Sequence, residues 1–274
     1  MDSNAEIIAV PAATVTLVRD GRHGLEVLMM QRNLQSGFVP GNYMFPGGAL
    51  DPQDAAFETY ALCEGLTDAQ ASAALEVASG GLAYWVAAIR ESFEEAGLLL
   101  ACEAGGAIVE LIREDVIERF STHRRAVDEG SRSLAAIVRE EGLRIAAGRL
   151  AYFGHWITPV GGPRRYDTRF FIAEAPPAQA PLHDNRETIS HLWIAPGTAL
   201  DRNRAGGFKM RRPTTRTLEL FAGYERTASL LRAMREQKSV PAILPRIGRD
   251  GRRLLPGEAG YEEAAADASG RGTW

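Results

Sequence analysis

The chain has 274 residues, is 45% hydrophobic and carries a formal net charge of -4, enough length to bury roughly 70 to 75% of its unfolded surface without a disulfide or structural metal. Cys63 and Cys102 are its only cysteines, and His23, His123, His155, His183 and His191 show no metal-ligand spacing, which argues against both a disulfide scaffold and a structural zinc site. The negative balance gives no general attraction to nucleic acid, and no apolar run approaches the roughly 18 residues of a membrane span. Met1 to Asn4 lack the basic start of a secretory leader and Arg271 to Trp274 form no peroxisomal signal, so a cytoplasmic chain is expected.

Taken in chain order, Ala12 to Val18 and Leu25 to Gln31 predict two strands joined as a hairpin across Asp20 to Gly24. A turn-rich stretch, Gly37 to Gly48, follows. Asp68 to Ala78 has an alanine-rich helical pattern with Thr67 as its N-cap. From Gly81 to Ala96 the residues Leu82, Trp85, Val86, Ile89, Phe93 and Ala96 recur at helical spacing, and Gly97 is suited to the left-handed cap that ends the helix. Between Ala107 and Ala147, Val109, Ile112, Val116, Phe120, Leu134, Ile137 and Val138 predict two or three amphipathic helices among many arginines and glutamates. Strands return at Ala151 to Thr158, Thr168 to Ala173 and Ile189 to Ile194, and one helix is expected over Thr214 to Gln237. The tail from Gly257 is rich in alanine, glycine and charge, and its last ten residues are expected to be loose.

The helix over 81–96 carries the chemistry. Glu91, Glu94 and Glu95 stand at i, i+3 and i+4, so they project from one stripe. Two unit charges about 5 Å apart at an effective dielectric of ~20 repel by about 3 kcal/mol, more than the helix propensity of a few glutamates supplies. A divalent cation would relieve that repulsion. A solvated charged face shows the same pattern, but the Phe45-Pro46-Gly47-Gly48 turn upstream favours a metal site, because glycines let backbone approach a metal or phosphate closely through positive φ and free N–H groups.

Arg90-Glu91-Ser92-Phe93-Glu94-Glu95-Ala96-Gly97-Leu98 resembles the second half of the Nudix box, with Ser92 where an apolar residue is usual, and Gly48 resembles the opening glycine of that box. Asp54 stands where the box has its first glutamate, and Arg90 arrives 28 residues late, as in the branch of the superfamily that includes the peroxisomal coenzyme A diphosphatases. The resemblance to that branch extends from Ala12 to Tyr261. It implies an α/β/α Nudix sandwich with a mixed sheet over residues 1–256, split by an insertion at 52–80, carrying a helical insertion at 106–148 and followed by a tail at 257–274. It also implies hydrolysis of a diphosphate linking a nucleoside to another moiety, with coenzyme A or acyl-coenzyme A giving 3',5'-ADP and a phosphopantetheine product, under Mg2+ or Mn2+. ADP-ribose, NADH or a sugar nucleotide keeps the same chemistry with another substrate. A Nudix-fold nucleotide sensor without turnover would normally lack the box glutamates, and all three are present.

Within that resemblance the metal ligands are Glu91, Glu94 and Glu95; Glu91 and Glu94 are the candidates for the base, and Arg90 orients a box carboxylate. Arg32, Phe45, Gly47 and Gly48 match the stretch that precedes the box in the coenzyme A branch, while Met30, Asn33 and Gly37 depart from it. Arg164-Arg165-Tyr166-Asp167-Thr168 resembles that branch's Arg-Arg-Phe-Asp-Thr, so Arg164 or Arg165 would hold a phosphate by its fork and Tyr166 would pack on adenine. Glu187, six residues before Trp193, and Arg211, before a helix start, are further candidates. Trp85, Trp156 and Trp193 read as packing residues. A small nucleotide-derived substrate is the expected partner, with no nucleic acid or membrane and with a homodimer left open.

Overall fold

The computed structural model describes residues 7–35, 40–160, 164–183, 188–248 and 250–264. Glu187, Gly37 and the end of the tail lie outside them. Along the chain come β1 (Val10–Gly21), β2 (Gly24–Arg32), β3 (Tyr43–Met44), β4 (Gly47–Ala49), a 3-10 turn (Pro52–Ala55), α1 (Phe57–Tyr60), α2 (Asp68–Leu75), α3 (Leu82–Ala96) and β5 (Ala101–Cys102). Then follow α4 (Glu114–Asp128), α5 (Leu134–Glu140), β6 (Arg144–Ile145), β7 (Ala151–Ile157), β8 (Tyr166–Glu174), β9 (Thr188–Ile194), α6 (Pro196–Arg204), α7 (Arg212–Phe221), α8 (Thr227–Arg235), β10 (Ala242–Ile243), β11 (Arg246–Ile247) and β12 (Arg253–Leu254).

The period-two alternation of the long strands explains the layers. Val15 and Leu17 of β1, Leu28 and Met30 of β2 and Phe171 of β8 face one core with Trp85, Ile89 and Phe93 of α3. Val18, Val27, Met29, Phe170 and Ile172 face a second core with Ala199 of α6, Leu218 and Phe221 of α7 and Leu230 of α8. A sheet covered on both faces needs apolar residues at nearly every position, which is why β1 and β2 read as almost unbroken hydrophobic runs. The sheet is mixed: β1 runs parallel to β8 and antiparallel to β2, and β7 is antiparallel to β8.

The site is opened by a fork in this sheet. β1 pairs with β2 over Val18 to Gly21, but lower down its neighbour is β4, through Ala12↔Ala49, Ala13↔Gly48 and Thr14↔Gly47. The glycine turn is therefore built as a short strand beneath α3. No helix among the described residues is long and apolar enough to cross a membrane.

The segment between Gly48 and α3 holds that helix in place. Thr67 and Gln70 form a reciprocal capping box on α2, and Asp68 accepts hydrogen bonds from the amides of Gly80 at 3.1 Å and Leu82 at 3.0 Å, capping the start of α3. Gly81 packs so closely on α2 that a Cβ there would lie 2.4 Å from the backbone nitrogen of Ser72. Gly97 ends α3 at φ 69°, in the left-handed conformation.

Two expectations are corrected here. The single helix over Thr214 to Gln237 is two, because Asp20 of β1 caps the second by accepting from the Thr227 amide at 2.8 Å, and the Glu225 carbonyl between them accepts from the Leu25 amide at 2.9 Å. Asp68 to Ala78 stops as a helix at Leu75, where Glu76 turns left-handed.

Candidate active site

On the carboxylate-bearing stripe of α3, Arg90 is the hub. Its Nε donates to Asp54 Oδ1 at 3.0 Å and its Nη2 to Asp54 Oδ2 at 3.1 Å, while Nη1 donates to Glu91 Oε1 and Glu94 Oε2, both at 2.8 Å. Nη2 also donates to the Ala49 carbonyl at 2.8 Å. One planar guanidinium thus ties the split halves of the box together, joining α3 to β4 and to the turn that carries Asp54. Burial draws the Arg90 pKa downward, but Asp54, Glu91 and Glu94 more than offset this and leave it raised above the ordinary value. Arg90 thus offsets part of the predicted repulsion, that between Glu91 and Glu94.

Glu95, 4% exposed, turns the other way and accepts a hydrogen bond from the Gly47 amide at 3.2 Å. The glycines act differently from expectation. Neither Gly47 nor Gly48 has a positive φ, and the Gly47 amide is engaged by Glu95. What they supply is room: a Cβ on Gly48 would lie 2.3 Å from Glu91 Oε1, and one on Gly47 would lie 2.6 Å from the Ala13 carbonyl oxygen. Ser92, the departure from the box pattern, is fully buried and donates to the Leu98 carbonyl at 2.7 Å, which accounts for a hydroxyl at an otherwise apolar position.

These groups open onto a cavity of 460 Å³ whose lining includes Glu91, Glu94, Glu95 and Asp128 together with Arg32, Gly48, Arg164, Tyr166 and Thr168. One cavity thus gathers four carboxylates and two arginines. Carboxylate oxygens are the donor set that hard divalent ions such as Mg2+ and Mn2+ prefer, and guanidinium forks suit phosphate oxygens, so the residues present fit a metal and a diphosphate. When bound, the ion supplies neutralisation of the diphosphate charge and activation of the attacking water.

The other predicted residues fall in several places. Arg32 closes β2 and its Nε lies 3.2 Å from Met44 Sδ. Phe45 is not at the cavity; it is 3% exposed in the second core, because it follows a strand residue and points through the sheet. Arg165 is also buried away from the cavity, donating to the Thr158 carbonyl at 3.1 Å and the Ile7 carbonyl at 2.7 Å, so it secures the entry to β1. Arg164 and Tyr166, on either side of it, do line the cavity. Arg211 precedes α7 and accepts at its carbonyl from Thr215 Oγ1; it does not line this cavity, and burial lowers its pKa.

Asp128, at the end of α4, was not foreseen, and neither was Arg124 one turn earlier, which donates to the Glu94 and Glu95 carbonyls. Their only sequence signal is an arginine-rich amphipathic helix. Among the described residues, one group of three His, Cys, Asp or Glu side chains brings its ligand atoms within 4.8 Å of each other, and it is His123, Glu140 and Glu141. Arg119 already pairs with Glu141 and Arg132 with Glu140, so this is an ion-pair network between α4 and α5. Glu91, Glu94 and Glu95 converge less tightly, two drawn to Arg90 and one to Gly47.

Burial pushes the Glu94 carboxyl up to about 7 from its ordinary 4.5, Arg90 working against this and Glu91 with it. The unfolded chain releases that proton near 4.5, so between about pH 4.5 and 7 the folded chain binds more protons. Stability contributed by this group is full below about 4.5 and lost as the pH rises to 7. Urea unfolding in EDTA at a series of pH values is expected to show the wild-type chain losing stability relative to Glu94→Gln across that window, then running parallel above it; parallel curves throughout would contradict the assignment.

Residues 3–216 match the family model of the NUDT19 Nudix domain, and the chain belongs to that family. The split box, the forked mixed sheet and the two helical layers are accordingly a Nudix α/β/α sandwich. Among individual proteins, the chain is 29% identical to acyl-coenzyme A diphosphatase NUDT19 of Gallus gallus, over 65% of this chain and 56% of that protein. It is 30% identical to the protein of the same name from Xenopus laevis, over 64% of this chain and 54% of that one. The chain therefore spans about half the length of these curated relatives. The crystal structure of a NUDIX hydrolase from Alicyclobacillus acidocaldarius superposes with a TM-score of 0.70 at 26% identity, covering 86% of this chain and all of that one.

Proposed function

We propose that the chain is a Mg2+- or Mn2+-dependent hydrolase of the diphosphate bond in coenzyme A or acyl-coenzyme A, releasing 3',5'-ADP and phosphopantetheine or its acyl form. The observation that carries the reading is the gathering of carboxylates and arginines around one cavity, and the names of the curated relatives support the substrate.

In this reading Glu91, Glu94 and Glu95 hold the ion, and Arg32 and Arg164 bind the diphosphate oxygens, with Tyr166 beside the adenine. Glu91 or Glu94, ionised beside the bound ion, would accept the proton of the attacking water. Arg90 keeps both carboxylates aimed by holding one oxygen of each.

Incubation with coenzyme A, an acyl-coenzyme A, ADP-ribose and NADH under Mg2+ or Mn2+, with products identified by mass, tests the substrate. Preferential release of 3',5'-ADP is expected. Preferential release of AMP from ADP-ribose or NADH would select that substrate class instead, and no turnover of any compound would contradict the hydrolase reading.

A further inference from the structure

The end of α3 carries both Glu94 and Glu95, and there a helix leaves its last carbonyls without intrahelical partners. Each carbonyl from Ser92 to Ala96 is nevertheless engaged. The Leu98 amide donates to Ser92 at 3.2 Å and the Gly97 amide to Phe93 at 3.0 Å, while the Leu182 amide donates to Ala96 at 2.8 Å. The two carbonyls in between belong to the glutamates, and both accept from one side chain: Arg124 Nε donates to Glu94 O at 2.8 Å and Arg124 Nη2 to Glu95 O at 2.9 Å. A Cβ on Gly97 would lie 3.2 Å from Arg124 Nη1, so the left-handed cap leaves the space through which the guanidinium reaches.

We infer that Arg124 is a positioning residue for the metal-binding carboxylates. A cation at a helix C-terminus is favoured by the helix dipole, and a planar fork spans two successive carbonyls in a way a point charge does not. Without it the last turn of α3 would fray at the residues whose side chains must converge on an ion. This gives the arginine-rich helix α4 a task in the site: the same helix, one turn beyond Arg124, brings Asp128 to the cavity wall.

The inference rests on the proposed metal site, and its test separates the two. Mn2+ affinity is measured by titration calorimetry on the full chain for the unaltered protein, Arg124→Ala and Arg124→Lys. Asp20→Ala, which removes the cap of α8 on the opposite face of the sheet, controls for lost stability. Arg124→Ala is expected to weaken Mn2+ binding at least ~10-fold and to speed hydrogen exchange at the Gly97 and Leu98 amides in metal-free protein, with Arg124→Lys intermediate and Asp20→Ala unchanged. Mn2+ binding by Arg124→Ala within twofold of the unaltered chain, or an equal weakening in Asp20→Ala, would overturn the inference alone. Failure of the unaltered chain to bind Mn2+ would overturn both it and the metal site.

Discussion

Glu95→Gln and Glu94→Gln are each expected to lower turnover of a diphosphate substrate by at least ~10²-fold, the scale on which loss of a metal ligand or proton-transfer group acts. Each change is nearly isosteric and retains an acceptor oxygen, so Glu95→Gln keeps a partner for the Gly47 amide, and the fold is expected to survive. Steady-state rates at saturating Mg2+, with circular dichroism as the control, measure this. Unchanged rates in both variants would remove the carboxylate stripe from the mechanism. The two should also differ. Glu94 shares Arg90 with Glu91 and Asp54, so its loss leaves the guanidinium held by two other carboxylates, whereas Glu95 is tied to the glycine turn.

The second large effect is on stability. Arg90→Ala leaves Asp54, whose side chain is 3% exposed, together with Glu91 and Glu94, without their common counter-charge. Stranding buried carboxylates in this way costs about 3–5 kcal/mol, more than a surface pair by severalfold. Burial already raises the pKa of Asp54 against the pull of Arg90, so the cost should fall on acidification. Adding Asp54→Asn is expected to recover part of the loss, since it removes the most buried stranded charge. Urea unfolding at neutral pH of the two single variants and the double variant gives the coupling directly; additive losses would mean that the ion pair does not join the halves of the box.

Local features were legible in the sequence because local physics fixes them. The spacing from Leu82 to Ala96 and the glycine after it define α3 and its carboxylate stripe without reference to the rest of the chain. The apolar runs of β1 and β2 likewise mark two strands of a hairpin. The errors fall where a partner is distant or where a strand's period of two decides between neighbours. Arg164 and Arg165 are indistinguishable as residue types, yet only the first lines the cavity. Phe45 sits beside glycines that belong to the site, but faces the opposite core. The break between α7 and α8 depends on a cap supplied by Asp20, 207 positions away, and the clamp on Glu94 and Glu95 on an arginine in a helix whose docking no periodicity encodes. Gly47 and Gly48 were rightly read as places of close approach. In the structure a carboxylate and the neighbouring strand approach them, and neither glycine has a positive φ.

The most direct measurement is hydrolysis of coenzyme A by chain stripped with EDTA and then titrated with Mg2+ or Mn2+, reading 3',5'-ADP by mass. No product before the metal is restored, saturable recovery afterwards and no recovery in Glu95→Gln is the predicted result. Hydrolysis that persists in excess EDTA, or that Glu95→Gln recovers as fully as the unaltered chain, would contradict it.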